Sequence, residues 1–146
     1  MHGRGTLTGA NGTEYSGDWV ADEKHGQGLE HWQDGASYSG AYKNGMKDGN
    51  GRLKQADGSE FKGNFSKDQI EGMGTYTWPD GRVHNGMWEA NQMHGFGVLK
   101  WVDGSVYEGD FKNSQRDGFG KFTLPDGSVY EGQWRNGKEH GEGRLL

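Results

Sequence analysis

Tyr130-Glu131-Gly132-Gln133-Trp134-Arg135-Asn136-Gly137-Lys138-Glu139-His140-Gly141-Glu142-Gly143 decides the fold, because its pattern returns every 23 residues along the chain. The ring that opens this stretch has counterparts at Tyr15, Tyr38, Phe61 and Tyr107, with His84 in the remaining slot. Four residues on, a second ring follows each time: Trp19, Tyr42, Phe65, Trp88, Phe111 and Trp134. A Gly-x-Gly step comes next, as in Gly26/Gly28 or Gly95/Gly97, and an Asp-Gly pair such as Asp103-Gly104 closes the spacer. No insertion or deletion interrupts the period. A repeat of that length signals stacked supersecondary units, so fold and function have to be read from the array and its extended surfaces.

Within the stretch, the first ring, the glycine two on and the ring four on share parity, and in a strand they point to one face. The intervening residues, such as Ser16, Asp18, Glu108 and Asp110, are polar. The apolar residues after Gly-x-Gly (Leu53, Tyr76, Leu99, Phe122, Leu145, then Trp32, Trp78, Trp101 and Leu124) keep the parity of the glycines. Alternation at period two marks strands with one buried face. Turn-formers separate the two strands: Asn44-Gly45 and Asn136-Gly137, with Lys67-Asp68, Ala90-Asn91 and Asn113-Ser114 as variants. The predicted fold is all-β, an elongated single-sheet solenoid of stacked antiparallel β-hairpins. About twelve strands at roughly 4.8 Å give a sheet on the order of 60 Å long. Twist is expected to curl it into a trough or rod.

Composition agrees. All of the 29 glycines except Gly9, Gly45 and Gly137 occupy four repeated positions, and aromatic residues make up 12% of the chain. Rings packed on glycine backbone therefore replace an aliphatic core. On this reading, valine at Gly95 would fill the space that a neighbouring ring needs. The net charge of -5 is spread along the chain. That distribution is a poor match to the basic footprint of nucleic-acid binders or to the clusters that hold proteins on anionic lipid. Cysteine is absent, which excludes disulfides and thiolate chemistry.

The pattern Tyr-x-Gly-x-Trp, turn, His-Gly-x-Gly, apolar strand, Asp-Gly resembles the MORN (membrane occupation and recognition nexus) repeat. The resemblance covers the whole chain and divides residues 1–146 into one array: a partial unit at 1–14, full units at 15–37, 38–60, 61–83, 84–106 and 107–129, and a partial unit at 130–146. Tyr15, Trp19, Gly26, Gly28, Tyr38, Tyr42, Phe61, Phe65, Trp88, Tyr107, Phe111, Tyr130 and Trp134 are the structural repeat positions. Related arrays occur in junctophilins, plant phosphoinositide kinases, ciliary radial-spoke proteins and parasite cytoskeletons, and beside a lysine methyltransferase domain. The resemblance thus implies scaffolding or targeting in an intracellular setting: cytoplasmic, cytoskeletal or ciliary, or on the cytoplasmic side of a membrane. Two departures stand out. His84 replaces the ring-slot tyrosine, so its unit should stack less well. Glu30 stands where other units carry Leu, Tyr or Phe, which suggests a frayed or covered unit. The array begins and ends inside a unit, as expected of a segment of a longer one.

No catalytic residue, metal site or cofactor is expected. His2, His25, His94 and His140 precede Gly-x-Gly steps, but equivalent positions lie two strands apart, roughly 10 Å, too far for shared coordination. Asp48, Glu71 and Asp117 take the same slot in other units. The Gly-x-Gly steps lack the lysine and the following helix of a phosphate-binding loop.

The favoured function is a non-catalytic interaction scaffold for a helical or extended partner segment. The alternatives are a membrane- or phospholipid-associated targeting module and a regulatory array of a larger enzyme. Two surfaces are candidates. One is the aromatic trough around Trp78, Trp88, Trp101 and Tyr107. The other is a central apolar patch on the opposite face, where Met73, Phe96 and Phe119 stand between the paired glycines while Gln27, Asn50 and Glu142 occupy that position elsewhere. Ile70, Met87, Met93 and Val98 are placed near this patch. The expected partner is a protein, with weak lipid contact and a homodimer through open sheet ends as secondary expectations, and no nucleic acid.

Overall fold

The computed structural model describes residues 3–9 and 12–145, with side chains to residue 138. His2 and the side chains of His140, Glu142 and Leu145 lie outside the described residues. Every regular element is a strand: β1 (Gly3–Thr8), β2 (Glu14–Val20), β3 (Glu23–His31), β4 (Ser37–Lys43), β5 (Met46–Lys54), β6 (Glu60–Ser66), β7 (Gln69–Thr77), β8 (Val83–Glu89), β9 (Gln92–Lys100), β10 (Val106–Lys112), β11 (Gln115–Thr123), β12 (Val129–Arg135) and β13 (Lys138–Leu145). The chain divides into two compact units, Met1–Ile70 and Glu71–Leu146.

In the first unit, β1 to β6 pair antiparallel in chain order. The two-residue turns Ala21–Asp22 and Asn44–Gly45 have positive φ throughout, and so does Lys67–Asp68. These are the primed turns whose twist matches that of the flanking strands. Between hairpins the chain uses a type I turn closed by a glycine. Gly35 N donates to Trp32 O and Trp32 N donates to Ala36 O, while Gly58 and Gln55 repeat the arrangement. The aspartate of each Asp-Gly pair accepts the backbone N–H two residues on, Ala36 to Asp34 and Ser59 to Asp57. Hydrogen bonds from Ser59 hold the Asp57 carboxyl below the usual carboxylate range.

The core of this unit is a zigzag of edge-on rings. Tyr15 meets Trp19 and Tyr42, Tyr38 meets Tyr42 and Phe65, and Phe61 meets Phe65, with centroids 5.0–5.3 Å apart. Each opening tyrosine lies flat on a glycine. A Cβ on Gly28 would sit 2.5 Å from the Tyr15 ring, and one on Gly51 would sit 2.5 Å from Tyr38 Cζ. The tyrosine hydroxyls then donate to the carbonyl three residues on, Tyr15 to Asp18 and Tyr38 to Ala41, both at 2.8 Å. Burial pushes the Tyr38 pKa up to about 12. Those carbonyls are free to accept because the register slips there: Gly17 pairs with Gly28, but Trp19 pairs with Lys24. Two extra residues of β3 form a bulge.

Of the two expectations for Glu30, the structure has it covered, not frayed. It is buried, its two oxygens each 3.0 Å from Lys24 Nζ, and Tyr42 Oη donates to it at 2.7 Å. Lys24 also sits 5.4 Å over the Tyr15 ring and 5.7 Å over Tyr42. A carboxylate can replace an apolar side chain at this position because the same hairpin supplies its cation.

The second unit repeats the plan. From β7 to β13 the strands pair antiparallel in chain order. Ala90–Asn91, Asn113–Ser114 and Asn136–Gly137 form the primed turns. Tyr107 Oη donates to Asp110 O at 2.9 Å, and Trp88 Nε1 donates to Gly74 O at 3.1 Å. A Cβ on Gly97 would lie 2.6 Å from His84 Nε2. Gly95 plays another part: its φ is +90°, and the nearest atom to an added Cβ is Met87 Cβ at 3.3 Å. The expectation of a ring over Gly95 is therefore corrected. The second glycine of each step makes room for the ring, while the first supplies the backbone conformation of the bulge.

His84 stacks as its tyrosine counterparts do, edge-on to Trp88 at 5.2 Å and Phe111 at 4.7 Å. The expected loss of stacking is thus absent. What the shorter ring lacks is reach: neither buried imidazole nitrogen has a hydrogen-bond partner among the described residues. Burial pushes its pKa down to about 4.

Candidate interaction surface

The two faces of the second unit differ in how much apolar surface they leave open. On the ring face, Trp88, Leu99, Tyr107, Phe111 and Trp134 are buried. Arg116 covers the far part, its guanidinium 4.4 Å from the Trp134 ring and 5.8 Å from Trp101 and Tyr107. Its Nη2 is anchored on Gly137 O at 2.8 Å. Arg116 occupies the repeat position of Lys24 and Lys47 in the first unit, and Lys47 likewise lies over Trp32 and Tyr38. The chain thus caps its own rings with cations.

Ile70 and Met93 hold that same repeat position and are buried. Met93 pairs with Trp88 across the hairpin. Their expected placement beside the opposite-face patch is corrected: between Gly86/Gly97 and Trp88/Met93 the register slips, so Met93 comes to lie against a ring. Trp88 and Tyr107 are core residues, and Trp101 is half-buried beneath Arg116. A groove of about 370 Å³ on this face is lined by Tyr76, Trp78, Arg82, Trp88, Asn91, Met93 and Ser114. Arg82 stacks 4.8 Å over Trp78 and pairs with Asp80.

The opposite face carries four exposed apolar residues close together. Met73, Phe96 and Phe119 are 58%, 59% and 55% exposed, and Met87 is 40% exposed. The register sets them in one row across the strands: Met73 opposite Met87, then Phe96 opposite Asp110, then Phe119 opposite Gln133. In the first unit the same row reads Arg4 opposite Asp18, Gln27 opposite Ala41 and Asn50 opposite Asn64. The apolar row is therefore confined to the second unit. Val98 is half-buried in the next row, opposite Asn85 and Glu108.

Among the described residues, no three His, Cys, Asp or Glu side chains gather into a metal-binding cluster. His94 instead faces Glu89 at 3.5 Å. Nor do the described residues include a helix long and apolar enough to cross a membrane.

Sequence reasoning missed the cation caps and the polar rim of the groove, formed by Arg82, Asn91 and Ser114. The caps leave a legible trace, since Lys24, Lys47 and Arg116 share a period position.

Ring-on-glycine hairpins, primed turns and a bulge at each Gly-x-Gly define an all-β repeat array. The MORN repeat model matches residues 1–14, 15–37, 38–60, 61–81, 84–106, 107–129 and 130–146, and the chain belongs to the MORN-repeat family. It is 46% identical to human and mouse Alsin over 35 residues, a segment that is 24% of this chain and 2% of Alsin. Among solved structures, it is similar to the TCP domain of Drosophila melanogaster SAS-4 in complex with a proline-rich motif of Ana2. The TM-score is 0.49 and the identity 16%, over 88% of this chain and 63% of that one. The TCP10 domain of Danio rerio CPAP gives a TM-score of 0.36 at 17% identity, over 88% of this chain and 65% of that one.

Proposed function

We propose that this chain is a non-catalytic interaction scaffold and that its second unit receives a helical segment of a partner protein along Met73, Met87, Phe96 and Phe119. The observation that carries the reading is that four exposed large apolar side chains line up in one row of the second unit, whereas the other exposed ones (Leu7, Val20, Leu29, Val102 and Leu124) hold other repeat positions. Methionine and phenylalanine are large, adaptable contacts, and exposed rows of them mark recognition surfaces. The first unit holds Gln27, Ala41, Asn50 and Asn64 at the same positions, so folding of a repeat does not require large apolar side chains there. Phe96 and Phe119 stand two strands apart, roughly 10 Å. Seven residues of helix rise about 10.5 Å, so a helix running along the row meets both phenylalanines with the same stripe.

The test compares partner capture by the wild-type chain, the Phe96→Ser/Phe119→Ser double variant and a Trp78→Ala/Arg82→Ala variant of the ring-face groove. The first double variant should keep its fold, read by near-ultraviolet circular dichroism. It should also lose about 2–4 kcal/mol of affinity for whatever the wild type captures. The groove variant should bind normally. Loss of binding in the groove variant alone would move the partner to the ring face.

A further inference from the structure

We infer that the helix recognised by this face carries a basic residue between its last two apolar anchors, placed to meet Asp110. The inference rests on the scaffold reading above and specifies its partner. Asp110 is exposed and pairs with Phe96 across β9 and β10, and Phe119 follows on β11. The carboxylate leans along this face, with Oδ2 3.1 Å from the place a Cβ on Gly118 would take. One acid is thus set between the last two apolar side chains of the row. Its repeat counterpart in the first unit, Asp18, is satisfied internally: its Oδ2 accepts Gln27 N at 3.0 Å, and Arg4 lies 3.6 Å away. Among the described residues, no cation or N–H donor engages the Asp110 carboxylate.

The spacing of the row translates into a sequence pattern. Strands stand roughly 4.8 Å apart and a helix rises about 1.5 Å per residue, so each strand crossed corresponds to a little over three helical residues. Met73, Met87, Phe96, Asp110 and Phe119 then fall within about 2 Å of helix positions i, i+3, i+7, i+10 and i+14, the set that shares one stripe. The partner stripe reads apolar, apolar, apolar, basic, apolar. Arginine suits the fourth place, because its planar fork matches a carboxylate while its stem and face pack against phenylalanine. The described residues of a second copy offer strands and no helix, and an acidic lipid surface would meet the unpaired Asp110 carboxylate with like charge.

The experiment uses two labelled helical peptides of about 18 residues. Both carry leucine at i, i+3, i+7 and i+14, and they differ only in arginine or glutamate at i+10. Fluorescence anisotropy gives their affinities for the full chain and for its Asp110→Lys variant, which the native row of exposed polar residues in the first unit indicates will fold. The wild type should hold the arginine peptide on the order of tenfold more tightly than the glutamate peptide, and Asp110→Lys should reverse that order. The difference should shrink as salt rises. If both peptides bind both proteins alike, the charge inference is overturned while the scaffold reading stands. If no peptide binds, or if Phe96→Ser/Phe119→Ser leaves binding unchanged, the scaffold reading falls with it. Sedimentation of the wild type as a dimer that the Phe96→Ser/Phe119→Ser change makes monomeric would reassign the face to self-association.

Discussion

Replacing His84 with tyrosine should stabilise the protein, and by an amount that grows as the pH falls. His84 is fully buried, and its two ring nitrogens have no hydrogen-bond partner among the described residues. In the equivalent slots, Tyr15, Tyr38 and Tyr107 reach the carbonyl three residues on at 2.8–2.9 Å. The corresponding acceptor for position 84 is the carbonyl of Met87. A buried unsatisfied polar group costs about 1–3 kcal/mol, so His84→Tyr should gain about 2 kcal/mol at pH 7.5, where the unfolded histidine is neutral.

Below that the proton contributes. The unfolded imidazole titrates near 6.5, whereas burial holds the folded one at about 4. Between those values the unfolded state binds the proton and the folded state does not. Wild-type stability is therefore complete above pH 6.5 and declines as pH falls toward 4. The slope is about 1.4 kcal/mol per pH unit, and the total is on the order of 3 kcal/mol. Urea titrations of both proteins at pH 7.5, 5.5 and 4.5 measure the gap. His84→Phe, which imitates Phe61, serves as a control that removes the proton and adds no hydrogen bond. A gap that stays constant across the three pH values, or a tyrosine variant less stable than wild type, would refute the reasoning.

A glycine under a ring and a glycine in a turn should respond to substitution for different reasons. Gly97→Ala drives a Cβ into the His84 ring and should cost about 3 kcal/mol or more. Gly104→Ala, where nothing lies within 4 Å and only the φ of +97° opposes the change, should cost about 1–2 kcal/mol by thermal melting. Lys24→Met leaves the buried Glu30 carboxylate without its cation and should cost about 3–5 kcal/mol. The triple change Lys24→Met, Glu30→Leu and Tyr42→Phe imports the set that Met93, Leu99 and Phe111 form in the second unit, and chemical denaturation should find most of that loss recovered.

Much of this molecule is legible in one dimension. A 23-residue period with two rings, two glycines and an Asp-Gly pair determines hairpins, their turns and the buried parity, because each of those features is local in sequence. The parity of Met73, Phe96 and Phe119 is local too, which is why their shared face could be read before any coordinates. Only the tertiary structure decided which glycine carries the ring, because Gly95 and Gly97 are alike in sequence and differ in φ and in what lies above them. It also decided that Ile70 and Met93 are core. A bulge of two residues changes what lies across the hairpin without altering the period. How Glu30 is covered was hidden for a related reason: its partner Lys24 lies on the same strand, β3, and the bulge between them lets the ammonium reach the carboxylate. The ring face looked open in the sequence. Lys24, Lys47 and Arg116 close much of it, because long basic side chains reach across strands to rings that lie far from them along the chain.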